Sequence, residues 1–176
     1  MKRGKELKRD IESQVSQNRA SVAGNATTAR ESGSFESWIT SNDSRGVTGA
    51  QGGATGSAVT APTDGTQRAF TEDLLKTVLR LSYNSGGDPT KIVVGPFNKQ
   101  AMSAFTGNAT RQVEADSEKL FAAVDVYKSD FGTHQIVPSR FSRDRSALVI
   151  DPEYLGIAYL RPFQSHELAK TGDSER

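Results

Sequence analysis

The chain of 176 residues contains no cysteine, which removes disulfide staples, thiolate metal sites and a thiol nucleophile together. No apolar run reaches the length of a membrane span, and no basic-then-apolar leader opens the sequence, so the expectation is a soluble, intracellular protein. An excess of charge is missing too. Lys and Arg number 22 against 21 Asp and Glu, and the net charge of +1 is too small to gather nucleic acid or an anionic membrane surface. Hydrophobic residues make up 35%, below the norm for a globular domain, and the shortfall is concentrated in particular stretches. The length still allows one ordinary domain, or a domain with an appendage.

What is present begins with a charged helix. From Lys5 to Arg19, Leu7, Ile11 and Val15 recur every four residues among Lys8, Arg9, Asp10 and Glu12, a narrow apolar stripe that needs a partner. The helix opens at Met1-Lys2-Arg3-Gly4 without a capping Ser, Thr, Asp or Asn, so it reads as cut from a longer helix, with a truncated N-terminus expected. After a polar stretch, Phe35, Trp38 and Ile39 form an apolar cluster at helical spacing that should dock on the core. Arg45 to Thr66 then holds six of the 16 glycines with no periodicity, which predicts a flexible, solvated loop unable to offset its own ordering entropy.

The best-specified element starts at Thr71. Thr71 is a good N-cap, Glu72 and Asp73 suit the positive helix end, and Phe70 can staple onto Leu75. Leu74, Leu75, Val78, Leu79 and Leu81 give the buried face, and Asn84-Ser85-Gly86-Gly87 supplies a left-handed residue to end it. Strands are predicted at Ile92–Val94, Leu120–Tyr127, His134–Val137, Ser146–Ile150 and Tyr154–Leu160. Turns at Ser129-Asp130-Phe131-Gly132 and Asp151-Pro152-Glu153 would make two hairpins of the last four. Helices beside mostly antiparallel strands indicate an α+β fold.

Candidate chemistry is thin. KIVVGPFNKQAMSAF (Lys91 to Phe105) reads as strand, turn, helix, the outline of a phosphate loop, but Gly95 stands alone, Pro96 has no N–H to donate, and Gln100 follows Lys99 where a magnesium-binding hydroxyl belongs. A structural turn is the simpler account. His134 and His166 are the two histidines and neither sits at metal-ligand spacing, so no metal and no cofactor are expected. Ser129, Asp130 and His134 share one tight turn, too close in sequence for nucleophile, base and orienter, and read as solvated turn residues. Asp151 and Glu153 flank Pro152 as turn formers rather than as facing catalytic carboxylates. Arg140, Arg143 and Arg145 form a basic cluster that could contact an acidic partner, or remain solvated.

Several segments in order carry a resemblance: KRGKELKRDIE (Lys2 to Glu12), TEDLLKTVL (Thr71 to Leu79), VGPFNKQ with FTGNATR (Val94 to Arg111), AAVDVYKSDFGT (Ala122 to Thr133) and LVIDPEYLGIAYLRPFQSHELAKTGDSE from Leu148. Together they resemble the major head proteins of tailed bacteriophages with the Hong Kong-type capsid fold. The resemblance implies a non-enzymatic shell subunit found in the virion, made in the bacterial host cytoplasm, and associating into pentamers and hexamers with copies of itself and with other capsid proteins. It implies neither a membrane nor a specific nucleic-acid site.

On that map residues 1–34 are the end of the spine helix, with Leu7, Ile11 and Val15 as its packing stripe, and their connection. Residues 35–161 are the axial domain with its loop at 45–66, and 162–176 a truncated return to the peripheral domain. Gly95, Pro96, Phe97, Asn98 and Lys99 become the structural turn of the family motif, and Arg140, Arg143 and Arg145 a possible subunit contact. Family members carry an arm and an extended loop before the spine helix, so this chain is expected to be a central fragment, monomeric or weakly self-associating. The alternatives are a phosphate-handling or hydrolytic enzyme using Lys99 or Asp151 with Glu153, and a small nucleic-acid-binding module resting on the three arginines.

Overall fold

The computed structural model describes residues 2–55, 58–105, 125–159 and 162–164. They form mixed helix and sheet: helices α1 (Lys2–Ser16), α2 (Phe35–Trp38), α3 (Glu72–Asn84) and α4 (Pro96–Ser103), and strands β1 (Gly53–Thr55), β2 (Ala58–Thr60), β3 (Lys91–Val94), β4 (Val126–Ser129), β5 (Gly132–Pro138) and β6 (Ala147–Ile150). The predicted strand from Leu120 lies outside the described residues up to Val124, as does His166.

The larger sheet has the order β4-β5-β3-β6. β3 sits inside it, parallel to β5 with Ile92 opposite Ile136, and antiparallel to β6 with Ile92 opposite Val149. Because strand side chains alternate between faces, Ile92, Val94 and Ile136 share a face with Tyr127, and α3 and α4 cover it with Leu75, Leu79 and Met102. Phe105 closes one end of this core, its ring 5.5 Å from that of Phe70 and nearly edge-on. Fully removing a leucine such as Leu79 from water is worth roughly 1.5–3 kcal/mol.

α3 begins where the sequence indicates, although the Thr71 side chain makes no capping bond, and Gly86 at φ +85° ends it as expected. The β4–β5 hairpin also forms around Ser129–Gly132. The second predicted hairpin does not. Residues 154–159 form no strand among the described residues, and β6 joins β3 instead. The physical reason lies in the turn: Asp151 Oδ1 accepts from Glu153 N, and its Oδ2 accepts from Asp88 N, which ties the turn to the end of α3's connection.

The expectation of a solvated loop from Arg45 to Thr66 is corrected in part: many of its residues are exposed, but the segment is not without regular structure. β1 and β2 form an antiparallel ribbon there, continued by the Ala50–Thr63 bridge, and Val59 is buried. Ser21 clasps Val59 through both backbone and side chain, donating from N to Val59 O (2.9 Å) and accepting Val59 N at Oγ (2.7 Å). A β-carbon on Gly46 would lie 2.2 Å from Thr66 O, and one on Gly65 2.5 Å from Gly46 O, so glycine here permits backbone contact rather than freedom.

The Phe35–Trp38–Ile39 cluster docks only in part: Phe35 and Ile39 are half-buried, and Trp38 is not. Trp38 is 54% exposed, whereas Ser34, Glu36 and Ser37 are buried. Ser37 Oγ donates to Arg19 O (2.6 Å) and contacts Ser34 Oγ (3.0 Å), so hydrogen bonds to an irregular strand of backbone decide the orientation of α2. α1 ends three residues before its predicted limit at Arg19. Its stripe is graded: Leu7 is 45% exposed, and Ile11 and Val15 are half-buried.

Candidate functional site

Four places could carry function, and the first is the turn after β3. Gly95 is the N-cap of α4 and Pro96 its first residue, with Asn98 buried and its Nδ2 donating to Ser146 O at 3.0 Å. Phe97 projects to solvent. A β-carbon on Gly95 would meet Asp144 Oδ1 and Ser142 O at 3.0 Å and Arg143 O at 3.3 Å. The close flank of the turn is therefore lined by two carbonyl oxygens and the Asp144 carboxylate, and Arg140 and Arg143 border the hollow beside it. Lys99 Nζ points to the Asp125 carboxylate at 3.0 Å. Gly95, Pro96, Phe97, Asn98 and Lys99 thus build a strand-to-helix turn with an oxygen-lined flank.

The second is the β4–β5 hairpin, where the reading of His134 as a solvated turn residue is overturned. His134 is fully buried, stacked at 6.2 Å on Tyr127, with Nδ1 2.5 Å from Pro89 O and Nε2 2.6 Å from Ser129 Oγ. A carbonyl can only accept, so Nδ1 carries the proton and, in the neutral ring, the Ser129 hydroxyl donates to Nε2. Ser129 Oγ also accepts from Phe131 N at 3.1 Å. The serine hydroxyl and the imidazole meet, but within a closed hairpin and without a carboxylate: Asp130 is exposed. Sequence spacing missed this burial; the alternation His134, Ile136 along β5 is the signal that places the ring on the core face.

The third is the arginine cluster, which the structure divides. Arg143 is largely buried, its Nη1 2.8 Å from Glu36 Oε2 and its Nη2 against the Asp64 carboxylate. Arg145 donates to Gly65 O at 2.6 Å, and Arg140 is exposed. Two of the three arginines therefore hold α2 and the base of the β1–β2 ribbon to the sheet. Neither partner was legible beforehand, because Glu36 and Asp64 lie far from Arg143 in the chain. Glu36 Oε1 and Ser142 Oγ are buried without a hydrogen-bond partner among the described residues.

The fourth is a cleft of about 750 Å³ between α3, the 41–46 and 64–70 segments and β6. Leu74, Leu75 and Val78 form its floor, and every residue from Ser146 to Asp151 lines it. Consecutive strand residues point to opposite faces, so a cavity that touches all of them runs along the strand's edge.

Among the described residues no group of three or more potential metal ligands occurs, and no helix is long and apolar enough to cross a membrane. No curated protein matches the sequence significantly. A family model described as SU10 major capsid protein matches residues 1–176, from end to end. A match over the full length, on a mixed helix-and-sheet chain whose candidate reactive groups are tied into turns, ion pairs and a closed hairpin, leads to one conclusion: the chain belongs to the SU10 major capsid protein family and is a structural subunit of a bacteriophage capsid.

Proposed function

We propose that the chain performs its capsid role in the manner of a Hong Kong-type subunit. Residues 35–161 act as the axial domain around the capsomer axis, residues 1–34 as the end of the spine helix with its connection, and residues 162–176 as the return toward the peripheral domain. The single observation that carries this reading is the family match from end to end. The four-stranded sheet backed by α3 and α4 supports it by supplying a rigid body that repeated contacts require.

In this reading pentamers and hexamers arise by head-to-tail contacts that close around an axis. Leu7, Ile11 and Val15 offer a half-covered apolar stripe for further packing. Gly95 to Lys99 serve as a structural turn, and Arg140 is the member of the basic cluster left for a neighbour. Synthesis takes place in the host cytoplasm and the product resides in the virion. Expression of the gene product in bacteria, followed by electron microscopy and sedimentation analysis, tests this: rings or closed shells of five- and six-fold capsomers are expected. A product that remains a monomer at every salt and protein concentration overturns it.

A further inference from the structure

The two edges of the four-stranded sheet differ in chemistry. β4 carries Lys128 and ends at Ser129-Asp130, the charged guarding usual for an exposed edge, whereas β6 reads Ala147-Leu148-Val149-Ile150 with neither charge nor proline. Among the described residues no strand pairs with the outer side of β6, and that side opens into the 750 Å³ cleft. An unguarded apolar edge in an open cleft is the geometry by which an added strand is bound through its main chain.

The same chain supplies a matching strand. Immediately after the Asp151 turn, residues 154–159 read Tyr-Leu-Gly-Ile-Ala-Tyr and belong to no helix or strand; Tyr154 and Leu155 still border the cleft, and beyond them Ile157 and Tyr159 alternate with Gly156 and Ala158. Ile157 is 52% exposed, and Tyr154 and Tyr159 are more so. Beyond the turn bond from Tyr154 N to Asp151 O, the backbone of this segment makes no hydrogen bond among the described residues. From Leu155 to Tyr159, large side chains on one face and small ones on the other suit a cleft with the apolar floor of α3 on one side and a close loop on the other, while Tyr154 stays with the turn.

We propose that the Tyr154–Tyr159 segment of one copy lies along the β6 edge in the cleft of the next copy, adding a fifth strand to its sheet. The second copy is the fitting occupant because a capsid subunit is surrounded by others like it, and because donor and acceptor stand on one chain yet pair with no strand among the described residues. Each copy then gives one segment and receives another, a head-to-tail contact that propagates around a ring. The proposal rests on the capsid reading and specifies one of its contacts.

The absence of native cysteine makes the test direct. Ile150→Cys and Ile157→Cys are prepared as separate single variants, mixed, and treated with a short bis-maleimide that tolerates small differences in register. The expected result is a covalent dimer in the mixture, well above the yield from either variant alone. Trp38, the one tryptophan and a residue of the cleft wall, gives a second readout. Its emission should shift to shorter wavelength as protein concentration rises, and Ile157→Lys should abolish the shift without changing the melting temperature of the dilute monomer.

If the doubly substituted chain cross-links within itself while the mixture does not, the segment folds back on its own β6 and the proposal is overturned. If rings or shells still form with Ile157→Lys and no mixed dimer appears, this contact is wrong while the capsid reading stands. If no oligomer forms under any condition, both are wrong.

Discussion

The sheet with α3 and α4, and the front region of α2 with the β1–β2 ribbon, are held together by different physics. In the first, Leu75, Leu79, Ile92, Val94, Met102 and Ile136 exclude water through large apolar surfaces that meet without directional demands. In the second, the buried set includes Ser34, Glu36, Ser37 and Val59, and the seat is made of an ion pair to Arg143, serine hydroxyls that accept from Arg19 N and donate to Arg19 O, and glycine-permitted contact between residues 46 and 65. A core of the first kind absorbs small errors by repacking. A seat of the second kind has few contacts, each directional, so single substitutions should act on it sharply and locally.

The largest effect expected is from Arg143→Ala. It strands the buried Glu36 carboxylate, whose Oε1 already lacks a partner among the described residues, and breaking a buried ion pair from one side costs about 3–5 kcal/mol. Urea unfolding should show that loss, and replacing both partners, Glu36→Leu with Arg143→Met, should restore most of it. A loss below about 1 kcal/mol would mean that the seat is apolar after all and that the contrast drawn above is false.

Leu79→Ala should follow closely, at about 2–5 kcal/mol for a fully buried leucine, but with a different signature. It should lower the stability of the whole sheet region rather than release the ribbon. Gly46→Ala comes next, at about 1–3 kcal/mol, because the new methyl group would press on the Thr66 carbonyl. Hydrogen exchange should then quicken in the ribbon while β3 keeps its protection, and uniform quickening would merge the two regions into one cooperative unit.

Lys99→Ala marks the small end of the scale. Its partner Asp125 is mostly exposed, so the change should stay within about 1 kcal/mol, and millimolar phosphate should leave the melting temperature unmoved in both proteins. A phosphate-dependent rise that disappears in the variant would contradict the oxygen-lined turn described above.

The same contrast explains what could be read from the sequence. α3 was legible because period, cap region and terminal glycine all agree over Thr71 to Gly86, and β3 because Ile92–Val94 is a β-branched run between turns. The front region was not, because its signals are non-local. Nothing near Glu36 announces Arg143, and nothing in a run of glycines announces that Gly46 and Gly65 touch. Hydrophobicity alone points Phe35, Trp38 and Ile39 inward, yet Trp38 faces solvent, and Ser34 and Ser37, at helical spacing, are the residues with partners at Arg19. The Tyr154–Leu160 strand fails in part for the opposite reason. Residues 154–159 have the local pattern of a strand, but the described part of the chain offers them no ladder.

The pairing of β3 also dictates an order of events during synthesis. Its neighbours at Ile136 and Val149 are made long after Ile92, so the ribosome delivers the middle of the sheet before either side of it. Until then Ile92 and Val94 can be shielded only by what precedes them, and Leu75 and Leu79 of α3 are the available cover. A nascent chain that has emerged from the ribosome as far as Phe105 should therefore hold a helix resting on an unpaired strand, a species inclined to bind chaperones or other nascent chains. The closing of this sheet comes late in translation, which for a protein made in many copies at one time sets how many sticky half-built subunits a cell must manage.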